Sequence, residues 1–96
     1  MTLIANTFWE ADGYRYTITV FRDVGVFIFD GRRRELGQGI ATFAYRHQPF
    51  PYDGCDYREF RSLTCLARFI ANDLSLWGCP ETNLQTLTAF LGGYSS

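Results

Sequence analysis

The side chains best suited to covalent chemistry are Cys55 and His47, which lie in one segment rich in proline and glycine. A cysteine beside a histidine can act as a nucleophile, because the imidazole accepts the thiol proton. The segment also precedes a predicted helix, and a helix N-terminus favours the reactive thiolate. No protease signature surrounds Cys55, and no oxyanion-binding element accompanies it. A Cys-dependent enzyme is therefore a remote alternative, two unrelated loop residues are the simpler interpretation, and no catalytic residue is predicted.

The cysteines and carboxylates form no pattern typical of a metal site or of a general acid–base pair. Cys55, Cys65 and Cys79 are separated by ten and fourteen residues, which matches no zinc motif, and the chain has one histidine. We expect Cys65 beside the apolar face of a helix, in the core, and Cys79 in the turn between helices. Three cysteines without a leader sequence predict reduced thiols and a cytoplasmic protein. We predict no metal and no cofactor.

The strongest candidates for contact with a partner are three consecutive basic side chains, Arg32, Arg33 and Arg34. The Asp30-Gly31 pair before them predicts the end of a strand, so we expect residues 32–37 to form a hairpin loop. Three positive charges at its tip would reach towards an acidic surface or towards phosphates. An ordinary solvated loop is the alternative interpretation.

The charge balance favours a protein partner over nucleic acid. The formal net charge is −1, whereas a general nucleic-acid-binding domain is normally basic. All nine basic residues are arginine, which a GC-rich genome would also explain. Arginine forms bidentate and stacking contacts that lysine does not. Direct nucleic-acid binding is therefore not expected, although a small nucleic-acid-binding or regulatory domain that uses the arginine-rich hairpin stays an alternative.

Composition and periodicity predict one α+β domain whose first half, residues 1–46, is an antiparallel sheet. The chain has 96 residues, of which 47% are hydrophobic and 18% aromatic, enough for one packed core. Apolar and polar residues alternate clearly over residues 14–22, as in a half-buried strand. Asp12-Gly13 is a strong hairpin signal. Strands are predicted over residues 2–9, 14–22, 26–29 and 38–46.

The second half changes to the helical period after a predicted loop over residues 47–56. Apolar side chains then recur at helical spacing over 57–77, which predicts a helix with Asp56 as N-cap and Glu59 completing a capping box. Gly78 is expected to end this helix. A second, shorter helix is predicted over residues 80–91, with Pro80 in its first turn.

These elements predict a four-stranded antiparallel meander followed by one or two helices packed on one sheet face. Aromatic rings on the other face would then be exposed and available to a partner. Besides the arginines, we therefore select Tyr14, Tyr16 and Tyr45 as partner-binding residues, because arginine and tyrosine are common interface hot spots. Burial of both faces, or a dimer that covers the second one, is the alternative.

In size and style the whole chain resembles the small phage-encoded anti-CRISPR proteins. The shared features are a short chain, a meander before a helix, no catalytic set, near-neutral charge and many aromatic residues. No motif can be aligned, so no functional residue is carried over. The resemblance implies a stoichiometric inhibitor that binds a CRISPR-Cas effector complex or its nuclease.

The sequence thus predicts a non-enzymatic, protein-binding inhibitor of an intracellular defence machine. We expect it in the cytoplasm, that of the host cell if the chain is phage-encoded, as a monomer or homodimer. No apolar stretch approaches the length of a membrane span, so no membrane association is predicted.

Overall fold

The computed structural model describes residues 1–37 and 54–94, and in these residues four antiparallel strands form one sheet in the order of the chain. The predicted α+β architecture, with helices packed on the sheet, is confirmed. The predicted strand over residues 38–46 and most of the loop over 47–56 lie outside the described residues. The strands are β1 (Thr2–Ala11), β2 (Tyr14–Asp23), β3 (Val26–Glu35) and β4 (Cys55–Phe60).

Tight two-residue turns join the first three strands. Asp12 and Gly13 both have positive φ, 53° and 84°, which is the conformation that the Asp-Gly hairpin signal predicts. The second turn contains Gly25 at φ 74°. Asp23 and Val26 form the last pair of the β2–β3 ladder, so only two residues lie in this turn.

Strand β3 is longer than predicted, and the expectation of a hairpin loop at residues 32–37 is wrong. The strand continues through Asp30-Gly31 to Glu35, paired with β2 along its whole length. Gly31 does not turn the chain. A Cβ atom there would lie 3.0 Å from the Phe29 ring and 3.4 Å from Ile18. The glycine therefore makes room for core side chains, and the three arginines lie in a strand.

Strand β4 occupies residues that the sequence assigned to a loop and to the start of a helix. Asp56 is not an N-cap: it is buried on the sheet and accepts hydrogen bonds from Arg58, the nearest from Nε at 2.8 Å. The first helix begins at Leu63, where Ser62 is the N-cap and its Oγ accepts from the Cys65 amide. Residues 55–60 form a strand because they pair with β3, a tertiary contact that outweighs the helical spacing.

The helical half contains two segments. Helix α1 (Leu63–Phe69) continues through a π-helical stretch, Ile70–Leu74, and a 3₁₀ turn, Ser75–Trp77. Gly78 ends it in the left-handed conformation at φ 84°, as its sequence position indicates. Helix α2 (Glu81–Leu91) follows Pro80 and lies within the predicted range. None of the helices in the described residues is both long and apolar enough to cross a bilayer.

The core lies between the helices and one face of the sheet, which we call the inner sheet face. Burial of each large apolar side chain here stabilises the fold by about 1.5–3 kcal/mol. Ring contacts join the two layers: Phe29 of β3 lies edge-on to Phe69 of α1 at 4.8 Å between ring centroids. The largest fully buried side chains are Trp77, Tyr16, Phe27, Phe29, Ile18, Leu66, Leu74, Leu87 and Val20.

Candidate functional site

The face of the sheet away from the helices carries a cluster of charged and aromatic side chains. We call it the outer sheet face. Because directly paired residues of antiparallel strands share a face, the strand register assigns its members. It places them in four rows across the strands: Glu10, Arg15 and Arg34; Phe8, Thr17, Arg32 and Cys55; Asn6, Thr19, Asp30 and Tyr57; Leu3, Phe21, Ile28 and Glu59.

Two arginines stand directly opposite each other on this face. Arg15 of β2 pairs in register with Arg34 of β3. Both Nε and Nη2 of Arg15 donate to one carboxylate oxygen of Glu10, at 3.1 and 2.8 Å. Within the part of the chain that the structure describes, no carboxylate forms an ion pair with Arg34, which is exposed. Like charges directly opposite on a sheet are destabilising.

Arg32 lies in the next row of the same face, and its side chain is more exposed than that of Arg15. Its Nε and Nη2 donate to the two carboxylate oxygens of Asp30 at 3.1 and 3.2 Å. This hydrogen bonding, followed by the charge of Asp30, raises the pKa of Arg32. The guanidinium is therefore a permanent charge held in a defined direction, with Cys55 opposite it on β4.

Exposed aromatic rings border the charged rows. Phe8 is 59% exposed, and the Arg15 guanidinium carbon lies 4.9 Å from the centre of its ring. Tyr57 on β4 is 56% exposed. Rings and guanidinium groups held together on a flat sheet are the side chains that dominate the energetics of protein interfaces.

Arg33 points to the opposite, inner sheet face, because side chains alternate along a strand. Its guanidinium carbon lies 4.3 Å from the centre of the Tyr14 ring. It also hydrogen-bonds to Tyr16, whose pKa is raised because burial outweighs the opposing effect of Arg33. Arg33 is therefore a structural residue at the end of the core.

The expected exposure of the selected tyrosines is wrong for the two that the structure describes. Tyr14 is 4% exposed and Tyr16 is fully buried beneath the helices. The alternation assigned them correctly to one face, but that face is the one the helices cover. Tyr45 lies outside the described residues, as does His47.

The three cysteines lie in different parts of the fold. Cys55 lies half-buried in strand β4 and not at a helix N-terminus. Cys65 is exposed, which corrects its expected place in the core. Cys79 is buried, and burial followed by the nearby Glu81 carboxylate raises the pKa of its thiol to about 11. Among the described residues no group of His, Cys, Asp and Glu could hold a metal ion.

Sequence reasoning missed three members of the outer sheet face. The alternation over residues 14–22 places Arg15 on the polar side of β2, but its pairing with Arg34 requires the true length of β3. Phe8 lies between two inward-facing residues of β1, so strict alternation along that strand would have found it. Tyr57 falls within the range predicted as a helix, and no local signal identifies it as part of a strand.

The fold and this site define a small α+β protein whose sheet carries charged and aromatic side chains on the face away from the helices. Comparison of the chain with protein-family models, with curated proteins and with solved structures finds no match. The function is therefore argued from the surface itself.

Proposed function

We propose that this protein is a non-enzymatic inhibitor that binds another protein through its outer sheet face. The observation that carries the proposal is the cross-strand pair of Arg15 and Arg34. Like charges at directly opposed positions of a sheet are destabilising, and the Glu10 carboxylate pairs with Arg15 and not with Arg34. A carboxylate from a partner would relieve the repulsion, because both guanidinium groups could bind it through charge-assisted hydrogen bonds.

The surrounding charges favour a protein over nucleic acid as the partner. The outer sheet face also carries the carboxylates of Glu10, Asp30 and Glu59. A row of phosphates would meet these negative charges as well as the arginines. A protein surface can place an acidic group at Arg34 and a neutral or basic one elsewhere, and such complementarity gives specificity.

The exposed rings would supply the apolar part of the interface. Phe8 and Tyr57 lie on the two outermost described strands, so they flank the central arginines. An interface of standard size buries about 800 Å² on each partner. A four-stranded face supplies an area of that order, because neighbouring strands lie about 4.8 Å apart and rise about 3.3 Å per residue.

For the target class we propose a CRISPR-Cas effector complex or its nuclease. The resemblance to anti-CRISPR proteins in size and style supports this choice. Binding through a face that the folded sheet already presents also suits stoichiometric inhibition, in which the inhibitor occupies the surface that the target needs for DNA or for recruitment.

The test is Arg34→Glu, which separates binding from folding. The change places opposite charges on Arg15 and residue 34, so we expect the free energy of unfolding to rise by roughly 0.5 kcal/mol. At the same time we expect inhibition of effector-catalysed DNA cleavage to weaken by at least about tenfold, as for an interface hot spot. Stability is measured by urea denaturation and inhibition by titration of purified effector complexes.

Arg61→Glu is the matched control, because it makes the same change in net charge at an exposed position outside the sheet. It is expected to inhibit like the native protein. Equal inhibition by native protein and Arg34→Glu would remove the outer sheet face from the mechanism. Inhibition of no effector by the native protein would refute the target class. Tight DNA or RNA binding that falls steeply with salt would support the nucleic-acid alternative.

A further inference from the structure

A second, unrelated surface lies on the far side of the molecule, between the two helical segments. An open trough of about 850 Å³ runs between α1 with its π-helical continuation and α2. This volume lies within the range of sites that bind small molecules or short peptide segments. We call it the helix trough. Its floor includes the apolar side chains of Leu63, Ile70, Leu84 and Leu91.

The trough exists because small residues line both of its walls. Ala67, Ala71 and Ser75 recur at four-residue spacing along the first wall, and Ala89 and Gly92 line the second. Residues four apart share one face of a helix, although the π-helical turn adds a residue and shifts that face. Short side chains allow the backbone of a third helix to approach both walls closely.

The charge on the described lining of the trough is negative and lies at one end. Among the described residues that line it, Glu81 is the one charged side chain, and it lies at the first turn of α2. The rest of the described lining is apolar or neutral. The charge of Glu81 contributes, after burial, to the raised pKa of Cys79, another lining residue. A partner that carries an apolar stripe along its length and a positive charge at one end would therefore bind more tightly.

We propose that the helix trough binds an amphipathic helix of a partner protein that carries a lysine or arginine over Glu81. A helix fits better than a strand, because the trough runs between two helices and none of the described lining residues belongs to a strand. Helix α2 has eleven residues, so it is about 16 Å long and faces about three turns of the occupant. The site is independent of the outer sheet face, since the sheet lies between them.

The test uses two synthetic fluorescein-labelled peptides of about 16 residues, long enough to become helical on binding. Both have one face of leucine and alanine and a glutamine-rich opposite face. One carries a single lysine in its first turn, and the other has glutamate at that position. By fluorescence anisotropy we expect saturable binding of the lysine peptide, and binding of the glutamate peptide about fivefold weaker or less. Glu81→Gln is expected to abolish the difference.

Two further variants locate the binding. Ala89→Trp fills the trough and is expected to weaken lysine-peptide binding at least about tenfold. Thr86→Trp places the same side chain on an exposed position of α2 outside the lining, and is expected to bind like the native protein. Circular dichroism checks that both variants are folded.

Three outcomes would overturn the proposal. They are equal affinity of the native protein for the two peptides, full binding by Ala89→Trp, and binding of dodecylamine without binding of either peptide. The last result would make the trough a site for a small apolar amine.

Discussion

In this protein the role of a strand residue depends on which face of the sheet its side chain occupies. Arg33 is flanked by two exposed arginines, yet it stacks on Tyr14 at the end of the core. Arginine commonly packs the aliphatic part of its side chain along apolar surface while its guanidinium group makes polar contacts. A triple charge reversal of Arg32, Arg33 and Arg34 would therefore damage the fold as well as the interface.

Cys79 makes the stability of the protein depend on alkaline pH. Its thiol has a pKa of about 11 in the folded protein, against an ordinary value of 9.0. Between these values the folded state binds more protons than the unfolded state, so the free energy of unfolding falls as pH rises. The contribution is fully present below pH 9.0 and is lost as pH rises through about 11. The slope approaches about 1.4 kcal/mol per pH unit.

Urea denaturation between about pH 8 and about pH 10.5 measures this slope. Cys79→Ala is expected to lose less stability over the interval than the native protein. Some loss is expected to persist, because the pKa of Tyr16 is raised as well. The exposed Cys65 provides the control, and Cys65→Ala is expected to follow the native curve. Identical slopes for native protein and Cys79→Ala would contradict the assignment.

At the scale of elements, the turn that separates the two helical segments depends on one glycine. Gly78 has φ 84°, and a Cβ atom there would lie 3.0 Å from Cβ of Ala11 on the sheet. Gly78→Ala is therefore expected to destabilise the fold by about 1–2 kcal/mol, the usual cost of the left-handed conformation for a residue with a side chain. Thermal denaturation should show a midpoint lower by about 5–10 °C.

Gly93 is the matched control for this prediction. It lacks a positive φ, and a Cβ atom there would make an ordinary contact of 3.8 Å with the Phe90 carbonyl oxygen. Gly93→Ala is expected to leave the midpoint nearly unchanged. An equal decrease for both variants would show that backbone conformation is not the cause.

Elements with local signals could be predicted, and elements defined by distant contacts could not. The Asp12-Gly13 turn and the end of the first helical segment at Gly78 follow from backbone preferences of the residues themselves. Asp30-Gly31 carries the same kind of turn signal, but pairing with β2 extends the strand through it. Strand β4 forms because it pairs with β3, a distant contact that no local pattern reveals. The spacing of its apolar residues by itself predicts the start of a helix.

The same distinction explains the candidate site. Its arginines stand out by residue type, whereas the opposition of Arg15 and Arg34 depends on register, which no local pattern specifies before the true strand ends are known. The sequence pattern also does not specify which face of the sheet the helices cover. The helix trough depends on the spacing between two packed helices, a quantity that periodicity alone does not give.

At the scale of the whole molecule, the two proposed surfaces lie on opposite sides of one two-layer core. The outer sheet face is formed by the strands, and the helix trough by the helical layer. Partners on the two sides would not compete for space. Each surface can therefore be altered without changing the other.

The interface between these layers contains both tryptophans. Trp9 of β1 and Trp77 at the end of the first helical segment are 4% and 1% exposed. The Trp9 indole N–H donates to the Trp77 carbonyl oxygen at 3.4 Å, and the Trp9 ring stacks on Tyr16 at 5.0 Å between centroids. Each indole is thus enclosed by the contact between sheet and helices.

This arrangement gives the protein an intrinsic optical sensor of whether its layers are joined. Its fluorescence is expected to be that of indoles shielded from water, and to shift to longer wavelength when the layers separate. In urea the shift is expected to coincide with the loss of far-ultraviolet circular dichroism, since a small domain unfolds in one step. A shift that precedes it would show that the helices leave the sheet first.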